Sequence, residues 1–403
     1  MIAAGRFAVD SLFSTRSQSK VTCRNRCWGA FLLLWIIATP AVAQAQTALV
    51  LPARQWFLLD VAANEVLAEQ GADEPVEPAS ITKVMTAYLV FEALRDGHLK
   101  WGQLVPVSER AWKMRGSRMF IEPRQQPTVE ELVKGLVIAS GNDAAVALAE
   151  AVAGTEEAFV RRMNATAQRL GMTRTHFTDA SGWPNPEHRS TARDLAILGQ
   201  ALIRDFPREY ALFKERSFAY KGVKQPNRNR LLWIDPSVDG IKTGHTEGAG
   251  YCLLSSAVRD GRRLIAVTLG SGSDAQRVEA SLKLLNYGFN EFAHFRAATA
   301  NTPVASLRVW LGAVKEVAVG SMTNLVAVLP RDEVGRAQAR FVAKEPLIAP
   351  VARGQEVGRI EVVVDGQVRR TLPVVALAEV GEAGWWGRLV DRIALAWRGL
   401  TGR

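Results

Sequence analysis

The sequence has few of the residues that hold disulfide scaffolds or metal sites together. Among its 403 residues there are three cysteines and five histidines. Cys23 and Cys27 lie near the N-terminus without accompanying ligands, and Cys252 lies in an apolar stretch that predicts a buried small hydrophobe. There is no H-E-x-x-H motif and no other close His/carboxylate box, so a zinc peptidase could only use a site assembled from distant residues. We expect neither a metal nor a cofactor.

The composition also lacks the extremes that mark other classes of protein. Hydrophobic residues make up 48 % and charged residues 22 %, which excludes collagen, a disordered acidic chain and a polytopic membrane protein. The formal net charge is +10, of which residues 1–45 carry +4. A basic balance is typical of proteins that meet nucleic acid, anionic lipid or a polyanionic substrate. Since no compact Lys/Arg run is interleaved with aromatics, we expect no nucleic-acid partner.

The N-terminal segment 1–45 has the pattern of an export signal. A basic stretch ends at Arg26, a short apolar run follows over 29–39, and small residues then offer A-x-A cleavage after Ala43 or Ala45. The apolar run is short for a bilayer core about 30 Å thick, although a retained membrane anchor stays open as the alternative. Cleavage would leave one cysteine, so the mature chain could form no internal disulfide.

Apolar periodicity and turn signals predict helices and strands in alternation after the signal, and a smaller β-rich segment after a polar linker. Asp-Gly turns between apolar runs indicate hairpins. The expected elements are a strand–turn–strand over 46–75, helices over 80–94, 129–153 and 274–296, a hairpin over 250–270, a linker over 297–303 and a second hairpin over 362–368.

The last segment predicts an amphipathic helix over 385–400. Tryptophans and aliphatic residues recur at helical spacing, and Arg388, Asp391, Arg392 and Arg398 fall largely on the other face. An apolar stripe with tryptophan and an arginine-rich back is typical of a helix at a membrane interface. A terminal helix docked on the protein core is the alternative, because periodicity does not separate the two.

A serine and a lysine stand one helical turn apart at the predicted start of the first long helix. Ser80 and Lys83 occupy positions i and i+3, which share a face. A lysine ammonium stabilises a developing alkoxide, and a desolvated lysine can act as a base. The dipole at a helix start also favours negative charge on Ser80 Oγ. S-x-x-K alone is common by chance, so the pattern needs further motifs beside it.

Two later motifs supply further polar groups. Ser140-Gly-Asn142 ends an apolar helical run, with a hydroxyl that can relay a proton and an amide that can bind a peptide group. A plain turn at a helix C-terminus is the alternative. Lys242-Thr-Gly244 precedes the first hairpin and suggests an edge strand with a cation and a hydroxyl for an anionic group. Gly244 would let a substrate backbone approach closely.

These three motifs in this order resemble the active-site boxes of the serine D-alanyl-D-alanine carboxypeptidases of low molecular mass, penicillin-binding proteins of the peptidase S11 type. The likeness runs from about residue 50 into the 290s. It includes Gly116–Phe120, His188, Thr191–Leu195, Asn227–Asn229, Leu231–Trp233 and Lys242–Thr246.

The resemblance implies a penicillin-binding/β-lactamase-like transpeptidase fold of the α/β (α+β) class, with an antiparallel sheet and helices. A small all-β domain and a C-terminal amphipathic helix would follow. We therefore divide the chain into a signal peptide over 1–45, a catalytic domain over 46–296, a β-rich domain over 297–380 and a membrane-anchoring helix over 381–403.

The resemblance also implies the catalytic roles. Ser80 would be the acylated nucleophile and Lys83 its general base. Ser140 would pass the proton to the leaving D-alanine nitrogen. The backbone N–H groups of Ser80 and His245 would form the oxyanion hole, and water would then hydrolyse the acyl-enzyme.

The remaining motif residues would bind the substrate. Asn142 would hold the substrate's side amide, Lys242 would add positive field, and Thr243 with Arg228 would bind the terminal carboxylate. The partners implied are peptidoglycan pentapeptide stems, β-lactam antibiotics as inhibitors, and an anionic membrane surface through 385–400. The protein would be exported and held at the periplasmic face of the cytoplasmic membrane.

Two features bear on the alternatives. The second box reads Ser-Gly-Asn, which resembles the carboxypeptidases more than class A β-lactamases. Glu187 stands between the second and third boxes, where class A β-lactamases use a glutamate, and we interpret it as a solvated loop charge. A class A-like β-lactamase and a non-catalytic penicillin-binding wall scaffold are the alternative functions. The boxes are shared by carboxypeptidases, endopeptidases and transpeptidases, so the balance among these activities and the stem-peptide preference stay open.

Overall fold

The computed structural model describes residues 49–401, so the predicted export signal over 1–45 lies outside the described residues. The helices are α1 (Lys83–Arg95), α2 (Glu109–Trp112), α3 (Val129–Val137), α4 (Asn142–Ala153), α5 (Glu156–Leu170), α6 (Ala192–Asp205), α7 (Pro207–Tyr210), α8 (Leu231–Ile234), α9 (Asp274–Glu291) and α10 (Trp385–Thr401). The strands are β1 (Gln55–Asp60), β2 (Glu65–Gln70), β3 (Ser217–Tyr220), β4 (Val223–Pro226), β5 (Val238–Thr246), β6 (Gly250–Arg259), β7 (Arg262–Ser271), β8 (Phe292–Ala298), β9 (Ala305–Trp310), β10 (Glu316–Gly320), β11 (Leu325–Pro330), β12 (Ala337–Ala343), β13 (Leu347–Ile348), β14 (Glu356–Val364) and β15 (Gln367–Ala376).

A five-stranded antiparallel sheet forms the centre of the larger part of the fold. Its strand order is β2-β1-β7-β6-β5, which places the two strands of the predicted strand–turn–strand over 46–75 at one edge and β5 at the other. All six residues of β1 are buried, as expected for a strand covered on both faces. The predicted hairpin over 250–270 is confirmed as β6 and β7, and β5 is the edge strand that the sequence suggested.

Three of the predicted helices differ from expectation. The helix over 80–94 begins only at Lys83, after a 3₁₀ turn over Ala79–Thr82. The helix over 129–153 is two helices, α3 and α4, with a break between them. The helix over 274–296 ends at Glu291, and β8 follows it. In the last two cases the apolar periodicity continues past a point where contacts with distant segments redirect the backbone.

The second part of the fold is all-β. Its six-stranded sheet has the order β12-β14-β15-β10-β9-β13, and β8 pairs with β11. The predicted hairpin over 362–368 is confirmed, because β14 and β15 are joined by a turn in which Asp365 and Gly366 have φ of 51° and 81°. Valine, leucine and isoleucine from these strands form a separate hydrophobic core.

The predicted terminal amphipathic helix is confirmed as α10. Trp386 and Ile393 are 61 % and 64 % exposed, so its apolar face is uncovered within the described chain. Asp391, which we expected on the polar outer side, is buried instead and accepts hydrogen bonds from Leu311 N at 2.8 Å and Lys315 Nζ at 3.0 Å. A polar contact thus fixes α10 to the β-rich part. Among the described residues, no helix combines the length and apolarity needed to cross a bilayer.

Candidate active site

The first cluster is built on the 3₁₀ turn that precedes α1. Ser80 lies in this turn, and Lys83 begins the helix. Lys83 Nζ lies 2.8 Å from Ser80 Oγ and donates a 2.7 Å hydrogen bond to Ser181 O. The lysine is 1 % exposed. A hydroxyl thus lies in direct contact with an amine that has almost no contact with water.

The burial of Lys83 changes its acidity. Removal from water lowers the pKa of Lys83 to about 7, against a partial opposing effect of the nearby Asp179 and Asp143 carboxylates, and the Arg228 charge lowers it further. A lysine with this pKa is partly neutral at physiological pH. It can therefore accept a proton, which an ordinary surface lysine cannot do under the same conditions.

The second cluster lies in the break between α3 and α4. Ser140 has a φ of 61°, and Asn142 N donates to Ser117 O at 2.8 Å. The motif therefore lies in the turn that follows the C-terminus of α3, and its last residue, Asn142, is also the first residue of α4. The Asp143 carboxylate accepts hydrogen bonds from the backbone N–H groups of Met119 and Phe120 at 2.9 and 2.8 Å. These bonds hold the loop that contains Met119 and Phe120 against the start of α4, beside Ser140.

The third cluster lies on the edge strand β5, which passes over the Ser80 turn. A Cβ at Gly244 would be 3.0 Å from Pro78 O and 3.1 Å from Ala79 Cβ. Gly244 therefore lets β5 pack closely against the turn that carries Ser80, in addition to the substrate backbone that we expect it to admit. Because Gly244 has no side chain, the strand can pack against this turn, and its neighbours Thr243 and His245 lie close to Ser80.

Lys242 is also a residue of β5, and its side chain is buried rather than exposed to solvent. It is 2 % exposed, and Nζ donates to Thr243 O at 3.0 Å. Burial, together with the charges of Lys83, Arg228 and Arg277, keeps the pKa of Lys242 well below its usual range. The protonated form of this side chain is therefore less stable than that of an exposed lysine.

Arg228 is held over the cleft by its two asparagine neighbours. Asn227 Nδ2 donates to Glu215 O at 2.9 Å, and Asn229 Nδ2 donates to Gly240 O at 3.0 Å. Arg228 Nε donates a long hydrogen bond, 3.3 Å, to Ala139 O. The two asparagines therefore fix the backbone on either side of Arg228. Its guanidinium is held between β5 and the segment that joins α3 to α4, which carries Ser140.

The three clusters share one cleft of about 530 Å³. The predicted residues Ser80, Ser140, Arg228, Thr243, Gly244 and His245 line it. Lys83 and Lys242 lie behind this lining, and Asn142 donates its side-chain amide to Arg115 O at 2.7 Å at the margin. Short motifs separated by about 160 residues in sequence thus meet in one groove.

Sequence reasoning missed Arg277, which also lines the cleft. Its guanidinium is buried and reaches Gly244 O at 3.3 Å, with Asp274 as its ion-pair partner. No short motif surrounds it on α9. Burial of an arginine on a helix otherwise rich in surface charge is visible only in three dimensions.

Two further possibilities raised by the sequence were a catalytic role for Glu187 and a metal site. Glu187 is exposed, and its N–H donates to Asn185 Oδ1 at 2.8 Å, as expected for a loop charge. In the described part of the chain, no group of three or more His, Cys, Asp and Glu side chains could hold a metal ion.

The chain is similar to known proteins over most of its length. The family described as D-alanyl-D-alanine carboxypeptidase matches residues 41–273, and the C-terminal domain of penicillin-binding protein 5 matches residues 292–382. The D-alanyl-D-alanine carboxypeptidase DacC of Escherichia coli is 42 % identical over 374 residues, which cover 91 % of this chain and 94 % of that protein.

Solved structures agree with this assignment. Penicillin-binding protein 5 of Haemophilus influenzae has a TM-score of 0.80 at 36 % identity, covering 83 % of this chain and 99 % of its own. Penicillin-binding protein D2 of Listeria monocytogenes, in a cefotaxime-bound form, has a TM-score of 0.57 at 32 % identity, covering 61 % of this chain and all of its own. With its three boxes in one groove, the chain belongs to the peptidase S11 family of serine-type D-alanyl-D-alanine carboxypeptidases.

Proposed function

We propose that the chain removes the terminal D-alanine from peptidoglycan pentapeptide stems through an acyl-enzyme on Ser80. The observation that carries the proposal is the 2.8 Å contact between Ser80 Oγ and a buried amine, in a cleft that Ser140 and the β5 edge also line. This arrangement has a nucleophile, a base and groups for an anionic peptide end within one groove.

In the acylation step, neutral Lys83 takes the proton of Ser80 while Oγ attacks the carbonyl carbon of the penultimate D-alanine. The oxyanion that forms is stabilised by the backbone N–H groups of Ser80 and His245, a contribution of about 3–4 kcal/mol for one such donor in other enzymes. Ser140 relays a proton to the departing D-alanine nitrogen, and the peptide C–N bond breaks. Water then attacks the ester on Ser80, which breaks the bond between Oγ and the acyl carbon, releases the shortened peptide as a carboxylic acid and returns a proton to Oγ. Each turnover thus frees one D-alanine without a cofactor.

The terminal carboxylate of the stem binds to hydrogen-bond donors and cations in and behind the cleft. Thr243 Oγ1 donates to it, and Arg228 and Lys242 supply cations, with Arg277 as a fourth group behind Gly244. Arrival of a carboxylate raises the pKa of Lys242, because an opposite charge favours the protonated amine. Asn142 holds the amide on the other side of the scissile bond. β-Lactams inhibit by acylating the same serine.

Mass analysis of pentapeptide digestion tests this function. We expect the purified chain to release one D-alanine per stem, and we expect prior treatment with penicillin to stop the release. A tetrapeptide that lacks the last residue is the matched control and should stay intact. Penicillin hydrolysed at a high turnover rate, with no D-alanine released, would instead identify a β-lactamase.

We further propose that residues 46–296 carry the catalysis, that 297–380 are a β-rich spacer, and that 381–403 anchor the exported protein to the periplasmic face of the cytoplasmic membrane. The uncovered apolar face of α10 supports this, since tryptophan favours the interface and arginine favours anionic lipid. The Asp391 contacts keep that face turned away from the β-rich part.

Membrane binding can be tested with a matched pair of variants. We expect Trp386→Glu combined with Ile393→Glu to remove binding to vesicles that contain phosphatidylglycerol, measured by co-sedimentation. Trp112→Glu combined with Ile234→Glu changes residues that are 40 % and 47 % exposed elsewhere, and should leave binding unchanged. Equal binding by both double variants would contradict the anchor.

A further inference from the structure

The loop from Asp179 to Trp183 lies directly across the turn that carries Ser80. A Cβ at Gly182 would be 1.8 Å from Ala79 O and 2.8 Å from Thr82 Oγ1, so the two segments are in tight contact. The residue before this glycine contributes Ser181 O, which accepts the 2.7 Å hydrogen bond from Lys83 Nζ. A shift of this loop therefore moves one of the two oxygen atoms that Lys83 contacts.

Asp179 fastens this loop from within. Its Oδ1 accepts hydrogen bonds from the backbone N–H groups of Ser181 and Gly182, both at 2.7 Å, and from Ser181 Oγ at 2.8 Å. Burial would raise the pKa of Asp179, but the His188 ring and the Ser181 groups outweigh it and hold the pKa below its usual range. The carboxylate is therefore ionised, and it fixes the direction in which the Ser181 carbonyl points.

His188 connects this loop to the nucleophile turn. Its Nδ1 lies 3.3 Å from the Asp179 carboxylate, and its Nε2 lies 2.8 Å from Thr82 Oγ1. The ring is 2 % exposed and packs edge-on against Phe177. Thr82 lies between Ser80 and Lys83 in sequence. Lys83 therefore contacts the loop through Ser181 O, and the loop contacts the turn of Lys83 again through His188 and Thr82.

We propose that Asp179 and His188 are positioning residues, which hold the Ser181 carbonyl and the Ser80 turn at the separation where Lys83 contacts both. This inference rests on the proposed function, because it takes Lys83 as the base. Within the described chain, neither side chain lines the cleft, so both act on the reaction through Lys83. An amine restrained by two fixed oxygens keeps the geometry in which proton transfer from Ser80 is direct.

The chain offers a matched control for Asp179. Asp235 makes the same Asp-x-Ser turn, in which its Oδ1 accepts from Ser237 N at 2.9 Å and from Ser237 Oγ at 2.6 Å. The second-order rate of acylation by a fluorescent penicillin and the thermal midpoint should be measured for Asp179→Ala and Asp235→Ala. We expect both to lower the midpoint, but only Asp179→Ala to lower the acylation rate, by about 100-fold.

A conservative variant separates charge from geometry. Asp179→Asn keeps an oxygen that can accept the Ser181 and Gly182 hydrogen bonds, so this variant should keep most of the wild-type acylation rate that Asp179→Ala loses. The charges that act on Lys83 are Asp179 and Asp143, which raise its pKa, and Arg228, which lowers it; Lys242 is a further cation nearby. Loss of the Asp179 charge should therefore move the acid limb of the pH–rate curve to lower pH.

Three results would overturn the proposal. These are an Asp179→Ala rate within about threefold of the Asp235→Ala rate, an Asp179→Asn acid limb at the wild-type pH, and an unchanged rate in Thr82→Val. The last variant cuts the His188 contact while leaving the loop anchored, and it covers the case in which Asp179→Ala does not fold. Failure of the proposed function is distinguishable, because the wild type would then not be labelled, or Ser80→Ala would be labelled equally.

Discussion

Replacing Lys83 by methionine is expected to slow acylation by penicillin by about 10²- to 10⁴-fold, the range in which general-base catalysis contributes. Methionine is unbranched and of similar length, so it fills the same buried space without a nitrogen. Ser80 keeps its hydroxyl and its turn, but it loses its hydrogen-bond partner Lys83 Nζ, the group that we propose takes its proton. The rate should be measured as the appearance of labelled protein over time.

The pH dependence of the wild type provides a second arm of this prediction. The pKa of Lys83 is lowered to about 7, and the form that we propose to be reactive is the neutral amine. The acylation rate should therefore rise with pH and reach half its maximum near pH 7, whereas an ordinary lysine would place that midpoint near 10. In Lys83→Met this limb should disappear, because the titrating group has been removed.

A surface lysine provides the control. Lys283 is paired with Glu279 one helical turn away on α9 and is 55 % exposed, so Lys283→Met should leave both the rate and its pH dependence unchanged. Stability should not explain a loss in Lys83→Met, since burying an amine is itself unfavourable. An acylation rate above about one tenth of the wild-type value would show that Lys83 is not the base.

What the sequence predicts well is local. The i, i+3 spacing of Ser80 and Lys83 holds although the first residue lies in a 3₁₀ turn, since both lie within one turn of backbone. The Asp-Gly hairpins are also local, because their two turn residues define the strand pairing. The order of the boxes indicated a shared groove through resemblance to a family, and the structure places them around one cleft.

The break between α3 and α4 depends on contacts that periodicity does not report. Apolar residues continue through Ile138 and Ala139, so the pattern predicts one helix. Gly141 N donates to Gly135 O at 2.9 Å, and a Cβ at Gly141 would be 2.7 Å from Asp143 Oδ1. These contacts turn the chain and direct Ser140 into the cleft.

The acidity of Lys83 is non-local for the same reason. Asp179, which affects it, follows almost 100 residues later, and nothing near it in sequence marks it as different from other loop aspartates. The end of α9 is similar: Phe292 could continue a helix, but β8 pairs with β11 about 30 residues further on. Partners chosen by tertiary structure cannot be read from a local pattern.

Replacing Gly182 by alanine is expected to lower the free energy of unfolding by about 3 kcal/mol or more and to abolish labelling by penicillin. The glycine has a φ of 82°, and an added Cβ would be 1.8 Å from Ala79 O. Because this neighbour is backbone rather than a flexible side chain, either the loop or the Ser80 turn must move. Both movements separate Lys83 from one of its two oxygen contacts.

Gly171 separates the two causes of this effect. It has a φ of 85°, but no heavy atom of the described chain lies within 4 Å of the position that a Cβ would take. Gly171→Ala should therefore show only the strain of a positive φ, about 1–2 kcal/mol, and should be labelled by penicillin at the wild-type rate. Equal losses of stability in the two variants, or normal labelling of Gly182→Ala, would mean that the loop can yield without moving Ser80. A larger loss of stability in Gly182→Ala, with labelling lost only in that variant, would assign the difference to the contact between the loop and the turn that carries Ser80.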